Sequence, residues 1–252
     1  MSGPTEWVVD LGHSRLKWAQ ACNGNLIEQS IGHCAANQPQ AFLDALVQQR
    51  GTVRLSAQSH PDHGHALSNA CQQRDCSVEV IRLGQPALPI EPAYSTLGCD
   101  RWLALQWPAS RHGGAFAVID CGTAITVDLV DAQHQHRGGW ILAGLRTSQE
   151  GLQQRAPGLP LVDLSETDLA TLGHPALNTP AAVGQGALML ALGGIERCLA
   201  AGREAMPDLA AIWLTGGDAP LLLSALGQQP AAWHWRHDPL LVLRGLAMIT
   251  AR

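Results

Sequence analysis

Two stretches of the chain have the same shape, and this repetition constrains the fold more than any other feature. The first is WVVDLGHSRLKWAQA, which begins at Trp7, and the second is AFAVIDCGTAITVDLV, which spans residues 115–130. In each stretch β-forming residues lead to Asp-x-Gly and then resume, which predicts a strand, a tight turn and a second strand. An α/β protein with a duplicated core is therefore expected.

The segments that follow each repeat alternate between strand and helix patterns. In the first half we expect strands at 25–32, 52–58 and 77–83, helices at 39–50, 63–75 and 99–110, and a Pro-rich loop at 84–98. In the second half we expect a strand at 136–144, a helix at 179–202, a strand, glycine turn and helix within 208–226, and a final helix at 239–251. We predict domains at 1–111 and 112–252, with a ligand cleft between them.

Composition and charge exclude several classes of protein. A formal net charge of -5 and a pI near 6.1 argue against a nucleic-acid binder that relies on a broad basic face. No apolar run approaches the roughly 18 residues that a membrane helix needs, and we expect no signal peptide. Seven cysteines without metal-type spacing indicate reduced thiols in the cytoplasm. We interpret the His60–His65 cluster, HPDHGH, as an exposed loop rather than a metal site.

The residues around the two Asp-x-Gly turns suit phosphate binding. Glycine lets backbone N–H groups approach an anion, hydroxyl and cationic side chains add donors, and a carboxylate at a strand end can hold Mg²⁺. The first turn offers Asp10, Gly12, Ser14, Arg15 and Lys17, and the second offers Asp120, Gly122, Thr123 and Thr126. A single copy is explained more simply as an ordinary hairpin. Two copies at equivalent places favour a clamp on a polyphosphate–metal complex.

Two other stretches carry candidate chemistry. WLTGGDAPLL places Gly216 and Gly217 between a predicted strand and helix, where they allow close backbone approach, as over an adenosine. GCDRWLAL places Asp100 and Arg101 at a helix start, just downstream of Tyr94, the only tyrosine of the chain. Asp100 is either a helix cap beside a surface arginine, or a base for a substrate hydroxyl with Arg101 holding a carboxylate.

The order of these elements resembles that of the type III pantothenate kinases, also called the Bvg accessory factor family. The resemblance runs from Val8 to about Ala247. The matching segments are DLGHSRLK at 10–17, GCDR at 98–101, DCGT at 120–123, GGWILAG at 138–144, NTPAAVGQGA at 178–187 and TGGDA at 215–219. It implies the fold of the acetate and sugar kinase–Hsp70–actin superfamily, with duplicated actin-like, ribonuclease-H-like domains.

The resemblance implies ATP-dependent phosphorylation of the primary hydroxyl of pantothenate, the first step of coenzyme A biosynthesis. It implies Asp100 as the general base, with pantothenate held by Tyr94, Gly98, Cys99, Arg101 and Thr179. By the same resemblance ATP is bound by Asp10, Leu11, Gly12, His13, Ser14, Arg15, Leu16, Lys17 and Thr123. Mg²⁺ accompanies ATP, and Asp120 lies at a monovalent cation, K⁺ or NH₄⁺. The family forms homodimers in which the partner covers part of the pantothenate site.

Two alternatives stay open. Another small-molecule kinase of the same superfamily is expected to carry different residues in place of Tyr94 and Gly98–Arg101. A non-catalytic regulator with the same fold is expected to lack Asp10 or Asp100, and both are present. His13 stands where the family turn usually has Asn, a change that bears on ATP affinity or its pH dependence.

Overall fold

The computed structural model describes residues 5–48, 51–57, 61–166, 169–226 and 233–250. These residues form two compact units. The first unit consists of the described residues up to Gly113, together with His134–His136 and those from Leu240 onward. The second consists of the other described residues between Gly114 and Pro239. The C-terminal helix therefore belongs to the first unit, and the limits 1–111 and 112–252 stay a prediction.

Ten β-strands occur in the described part of the chain, five in each of two sheets. They are β1 (Glu6–Leu11), β2 (Arg15–Cys22), β3 (Asn25–Ala35), β4 (Thr52–Ser56), β5 (Ser77–Val80), β6 (Phe116–Cys121), β7 (Ala124–Val130), β8 (His136–Ala143), β9 (Ala211–Thr215) and β10 (His234–His237). The strand order is β3-β2-β1-β4-β5 in one sheet and β8-β7-β6-β9-β10 in the other.

The two sheets share one topology. The hairpins β1–β2 and β6–β7 are antiparallel. The strands that flank β1 and β6 on the other side, β4 and β9, run parallel to them. The last pairs, β4–β5 and β9–β10, are also parallel. This repeated topology confirms the duplicated α/β core that the sequence predicts.

Seven α-helices occur within the described residues. They are α1 (Gln40–Gln48), α2 (Pro61–Gln72), α3 (Cys99–Arg111), α4 (Leu145–Arg155), α5 (Thr179–Ala205), α6 (Ala219–Leu226) and α7 (Leu241–Ile249). Two short 3-10 turns lie at Leu164–Glu166 and Leu169–Gly173. The predicted helices are confirmed, whereas α4 and β10 have no counterpart in the sequence-based prediction. Parts of the predicted elements at 49–50, 58 and 251 lie outside the described residues.

Aromatic packing and close helix contact hold the first unit together. The ring of Phe42 on α1 lies 5.9 Å from the ring of Trp7 and 5.5 Å from that of Trp18, centroid to centroid. Such pairs contribute about 0.5–1.5 kcal/mol each beyond their buried area. Helix α7 packs tightly on α3, because a Cβ atom at Gly245 would collide with the backbone carbonyl of Leu103. This packing fixes α3, which carries Asp100 in its first turn.

The core of the second unit is aliphatic and lies against the β6–β7 hairpin. Ile119 and Ile125 of the hairpin and Leu188 and Ile195 of α5 are all fully buried in one cluster. Burying one such side chain stabilises a fold by about 1.5–3 kcal/mol. The hairpin that ends in the second Asp-x-Gly turn is therefore anchored along its whole length.

The interpretation of His60–His65 as a loop is wrong for the described residues 61–65, and the helix predicted from His63 is confirmed but begins two residues earlier. Helix α2 begins at Pro61 and includes His63 and His65, while His60 lies outside the described residues. Proline is favourable in the first turn of a helix, where its missing N–H has no partner to lose, and Asp62 complements the helix dipole there.

Candidate active site

The first Asp-x-Gly turn joins β1 to β2. Its loop is His13-Ser14, because Gly12 and Arg15 still pair across the hairpin. Asp10 pairs with Lys17 and Leu11 with Leu16 in the ladder. The Gly12 N–H donates to the carbonyl of Arg15, with an N···O distance of 3.0 Å. Gly12 has an ordinary φ, and a Cβ atom there would lie 3.2 Å from the Arg15 oxygen.

The loop of this first turn presents its side chains to the outside of the unit. His13, Ser14 and Arg15 are exposed, and the Ser14 carbonyl accepts the N–H of Ala36 at 3.1 Å. The side chains of Leu11 and Leu16 are buried in the core. Only the backbone of these two leucines is therefore available to a ligand, whereas the exposed residues offer a hydroxyl, an imidazole and a guanidinium.

Asp100 lies in the first turn of α3, two residues past the N-cap position. The N-cap residue is Gly98, and the Asp100 Oδ1 accepts the N–H of Arg101 at 2.8 Å. A Cβ atom at Gly98 would lie 2.5 Å from Asp100 Oδ1, too close for any real contact. Glycine at 98 thus leaves the space that this carboxylate occupies, and Asp100 is not the N-cap.

Asp10 and Asp100 both raise the pKa of one buried thiol, that of Cys99. Cys99 is fully buried and its Sγ lies 3.6 Å from the carbonyl oxygen of Ile81. The pKa of the Cys99 thiol is raised to about 12, first by burial and then by the negative charges of Asp100 and Asp10. The Asp100 and Asp10 carboxylates therefore both disfavour the thiolate form of Cys99.

The Pro-rich segment before α3 is tied to that helix. The indole N–H of Trp102 donates to the carbonyl of Ile90 at 2.6 Å. The side chain of Gln106, which is fully buried, accepts the N–H of Ile90 at 3.0 Å and donates to its carbonyl at 3.1 Å. Tyr94, four residues further on, keeps 38% of its surface exposed. The segment is thus fixed at Ile90 and presents Tyr94 at its surface.

One contact of this segment comes from a residue that the sequence did not single out. His136, at the start of β8, accepts the N–H of Ala93 through Nδ1 at 3.3 Å. Its ring lies 6.1 Å from the ring of Tyr94, centroid to centroid, at an angle of 32°. A lone histidine at the start of a predicted strand carries no local signal of such a long-range contact.

The second Asp-x-Gly turn, between β6 and β7, is one residue shorter than the first. Asp120 pairs with Thr126 in the ladder, and the Gly122 N–H donates to the Ala124 carbonyl at 3.0 Å. The Thr123 carbonyl accepts two hydrogen bonds from the start of α4, from the Gly144 N–H at 3.1 Å and the Thr147 hydroxyl at 2.5 Å. The predicted motif residue Gly144 is required here, because a Cβ atom would collide with the backbone of Gly122 and Thr123.

The third glycine turn packs directly on the second. Gly216 has a φ of +95°, and a Cβ atom there would lie 2.5 Å from Asp120 Oδ1 and would also collide with the Cys121 carbonyl. The Cys121 carbonyl accepts the N–H of Asp218 at 2.9 Å. The pKa of the Cys121 thiol is raised above its ordinary value, first by burial and then by Asp120 and Asp218. Asp120 Oδ1 and the Cys121 carbonyl oxygen therefore both lie against Gly216.

Thr179 is the first residue of α5 in the second unit. The Asn178 side chain caps this helix by accepting the N–H of Ala181 at 2.9 Å, and Pro180 follows at a position that suits proline. Thr179 is exposed and lines an open groove of about 430 Å³ together with Leu152, Leu159 and Val183.

Neither a dedicated metal cage nor a membrane span is found within the described ranges. No three His, Cys, Asp or Glu side chains in them are grouped so that they could hold a metal ion. No helix in the part of the chain that the structure describes is long and apolar enough to cross a membrane. Mg²⁺ is commonly bound by one or two carboxylates together with substrate phosphates and water, so a phosphate-dependent Mg²⁺ site needs no such group.

Solved structures resemble this fold at low sequence identity. A Baf family protein from Campylobacter jejuni, described as a putative transcriptional activator, matches with a TM-score of 0.62 and 21% identity, covering 96% of each chain. A putative N-acetylmannosamine kinase from Listeria monocytogenes matches with a TM-score of 0.56 and 12% identity, covering 98% of each chain. A ROK family glucokinase from Streptomyces griseus, solved with glucose and AMPPNP, matches with a TM-score of 0.53 and 13% identity, over 98% of this chain and 99% of its own. These likenesses support the actin-like fold.

Sequence comparison identifies the family. The profile of type III pantothenate kinases matches residues 7–201. A type III pantothenate kinase of Nitrosococcus oceani is 30% identical over 254 residues, which cover 96% of this chain and 92% of the relative. Another, from an Azoarcus species, is 31% identical over 251 residues, which cover 97% of this chain and 90% of the relative. The chain belongs to the type III pantothenate kinase family, which phosphorylates pantothenate in coenzyme A biosynthesis.

Proposed function

We propose that Asp100 is the general base of this kinase. It takes the proton of the primary hydroxyl of pantothenate while that oxygen bonds to the γ-phosphorus of ATP and ADP leaves. Phosphoryl transfer depends mainly on positioning and charge, so a carboxylate held in a fixed place is the contribution expected of the protein. The observation that carries the proposal is the fixed position of the Asp100 carboxylate in the first turn of α3, where it accepts the Arg101 N–H and occupies the space that Gly98 leaves.

The pantothenate site in this proposal comprises Tyr94, Gly98, Cys99, Arg101 and Thr179. The substrate is a carboxylate, and the guanidinium of Arg101 suits a carboxylate because it offers two parallel donors. Gly98 supports the proposal through the space it leaves for Asp100. Because the Cys99 side chain is buried, its contribution is confined to the backbone.

The ATP site in this proposal comprises residues 10–17 and Thr123. The exposed hydroxyl of Ser14 and the exposed guanidinium of Arg15 are donors for phosphate oxygens. Asp10, at the end of β1, is the carboxylate that suits Mg²⁺, and the metal neutralises charge on the phosphates of ATP. Asp120 suits K⁺ or NH₄⁺, because its Oδ1 and the Cys121 carbonyl lie on the same side of Gly216 and offer oxygen ligands.

A homodimer and a cytoplasmic location complete the proposal. Four apolar side chains of the second unit are well exposed: Trp140 at 38%, Ile141 at 64%, Met189 at 58% and Leu190 at 63%. Two of them lie on β8, which is an edge strand of its sheet. Exposed apolar residues on an edge strand and a neighbouring element are typical of a protein interface. If this interface forms a homodimer, sedimentation equilibrium should give twice the mass of the chain.

The cysteines support the cytoplasmic location. All seven are free thiols, as is usual in the cytoplasm.

The deciding experiment is a coupled ADP-release assay on the purified protein with ATP, Mg²⁺ and NH₄⁺, with and without pantothenate. We expect release that depends on pantothenate. Asp100→Asn should lower kcat by about 100- to 10,000-fold, the usual contribution of general base catalysis, while ATP still binds in calorimetry. Asp44→Asn, at an exposed carboxylate on α1, is the matched control and should leave kcat unchanged. Near-normal kcat in Asp100→Asn would remove the role assigned to this residue.

A further inference from the structure

The segment that carries Tyr94 is held at two points by residues from different parts of the chain. Residues 84–98 contain no helix or strand, so their position depends on tertiary contacts: the buried side chains of Leu88, Ile90 and Leu97, and hydrogen bonds to the backbone. Trp102 and Gln106 of α3 hold the backbone of Ile90 with three hydrogen bonds between 2.6 and 3.1 Å. These bonds fix the segment next to α3 and leave three residues between Ile90 and Tyr94.

The second point of attachment is His136. It lies 43 residues from Ala93 in the chain, and its Nδ1 accepts the Ala93 N–H at 3.3 Å. Its ring also lies beside that of Tyr94, with the centroids 6.1 Å apart. His136 itself is only 6% exposed, so its ring is held by the surrounding structure. One buried side chain therefore fixes both the backbone just before Tyr94 and the face of the Tyr94 ring.

The chemistry of this hydrogen bond defines the form of the imidazole. A backbone N–H can only donate, so Nδ1 of His136 must carry a lone pair and the ring proton must be on Nε2. If this hydrogen bond is not made, the Ala93 N–H loses its acceptor. Leaving a donor without an acceptor costs more free energy than the net gain from forming the bond. The residue at 136 must therefore offer an acceptor at the place of Nδ1.

We propose that His136 is a positioning residue for the acceptor substrate, pantothenate. It holds the Ala93–Tyr94 backbone and the Tyr94 ring in the orientation that lines the pantothenate site. This inference rests on the proposed function, in which Tyr94 contacts pantothenate and residues 10–17 contact ATP. A substitution at His136 must therefore raise the KM for pantothenate more than the KM for ATP.

Two variants of similar size separate the hydrogen bond from the bulk of the side chain. His136→Asn places its amide oxygen the same number of bonds from Cα as Nδ1, so it keeps an acceptor. His136→Leu places a methyl group there instead. Both variants lose the ring, so the difference between them reports the hydrogen bond to Ala93.

The experiment measures kcat and the two KM values of the wild type and both variants in the ADP-release assay. We expect His136→Leu to raise the KM for pantothenate about tenfold, with kcat and the KM for ATP within about twofold of the wild type. His136→Asn should restore the KM for pantothenate to within about threefold. Tyr94→Ala combined with His136→Leu should raise this KM by less than the product of the single effects, because both changes act on one contact.

Each other outcome identifies what fails. Equal KM values for pantothenate in the two variants, or an equal rise of both KM values, would make His136 a structural residue only. A wild type without pantothenate-dependent ADP release would overturn the proposed function together with this inference. If His136→Leu does not fold, His136→Gln replaces it, because its amide oxygen lies one bond further out and cannot reproduce the position of Nδ1. Equal KM values for pantothenate in the Gln and Asn variants would then overturn the inference.

Discussion

The two Asp-x-Gly hairpins have matching sequences and different supports. The first turn has a two-residue loop, His13-Ser14, and a Cβ atom at its glycine would lie 3.2 Å from the Arg15 carbonyl oxygen, which is tight but not a collision. The second turn has a single-residue loop, Thr123, and two other glycines, Gly144 and Gly216, lie directly against its backbone. The repeat was thus kept along the strands, while the surroundings of the two turns diverged.

This difference indicates a division of tasks between the hairpins. The first presents exposed polar side chains at its tip, so its contribution to a ligand depends on what those side chains are. The second has a carbonyl, that of Thr123, held by two donors, and a carboxylate, that of Asp120, held against Gly216. Its contribution depends on fixed backbone geometry, which tolerates little change in the neighbouring residues.

The largest difference is expected between two glycine substitutions, one at Gly216, which packs on the second turn, and one at Gly12 within the first turn. Gly216→Ala requires a positive φ from alanine and puts a Cβ atom 2.5 Å from Asp120 Oδ1, so it should lower the free energy of unfolding by about 2–5 kcal/mol. Gly12→Ala has an ordinary φ and a contact of 3.2 Å, and it should cost less than about 1 kcal/mol. Urea unfolding of both variants measures the two values, and similar costs would contradict the proposed difference in support.

The second prediction concerns the carboxylates of the two hairpins. Activity of the wild type should be low in Na⁺ and rise with K⁺ or NH₄⁺. Asp120→Asn should lower kcat by about 10- to 100-fold and remove this rise, because a neutral amide binds a cation less well than a carboxylate. Asp10→Asn should lower kcat to a similar or greater degree but keep the rise, because we assign it to Mg²⁺ and ATP. The measurement is kcat against K⁺ concentration for the wild type and both variants. A flat response of the wild type would remove the cation role from Asp120.

The sequence was informative where the signal is local. The Asp-x-Gly repeat and the alternating patterns after it predict both sheets and most helices, because strand and helix periodicity depends on neighbouring residues. Helix α4 was missed because only Leu145 and Gln149 of its residues are buried, so it has no apolar stripe. The start of α2 at Pro61 was misread because proline both ends and begins helices.

The candidate site could be predicted only in part for the same physical reason. The motifs identify the carboxylates and glycines, since these residues recur at fixed spacing. The contacts that hold them, from His136 to Ala93 and from Thr147 to Thr123, join residues 43 and 24 positions apart. The packing of α7 on α3 is also long-range and has no counterpart in local periodicity. One sequence contains no information on such pairs beyond the types of residue that can form them.

The last and smallest of the predicted differences concerns Thr147, which tests whether the hydrogen bonds to the second turn matter beyond the glycine packing. Its hydroxyl donates to the Thr123 carbonyl at 2.5 Å. Thr147→Val keeps the shape and removes the donor, so it should lower the free energy of unfolding by about 1 kcal/mol, and Thr147→Ser should restore most of it. Because Thr147 is only partly buried, water can replace the lost donor, which keeps the cost small. Urea midpoints of the two variants and the wild type measure this. A cost for valine as large as that of Gly216→Ala would mean that the start of α4, rather than the third glycine turn, determines the geometry of the second hairpin.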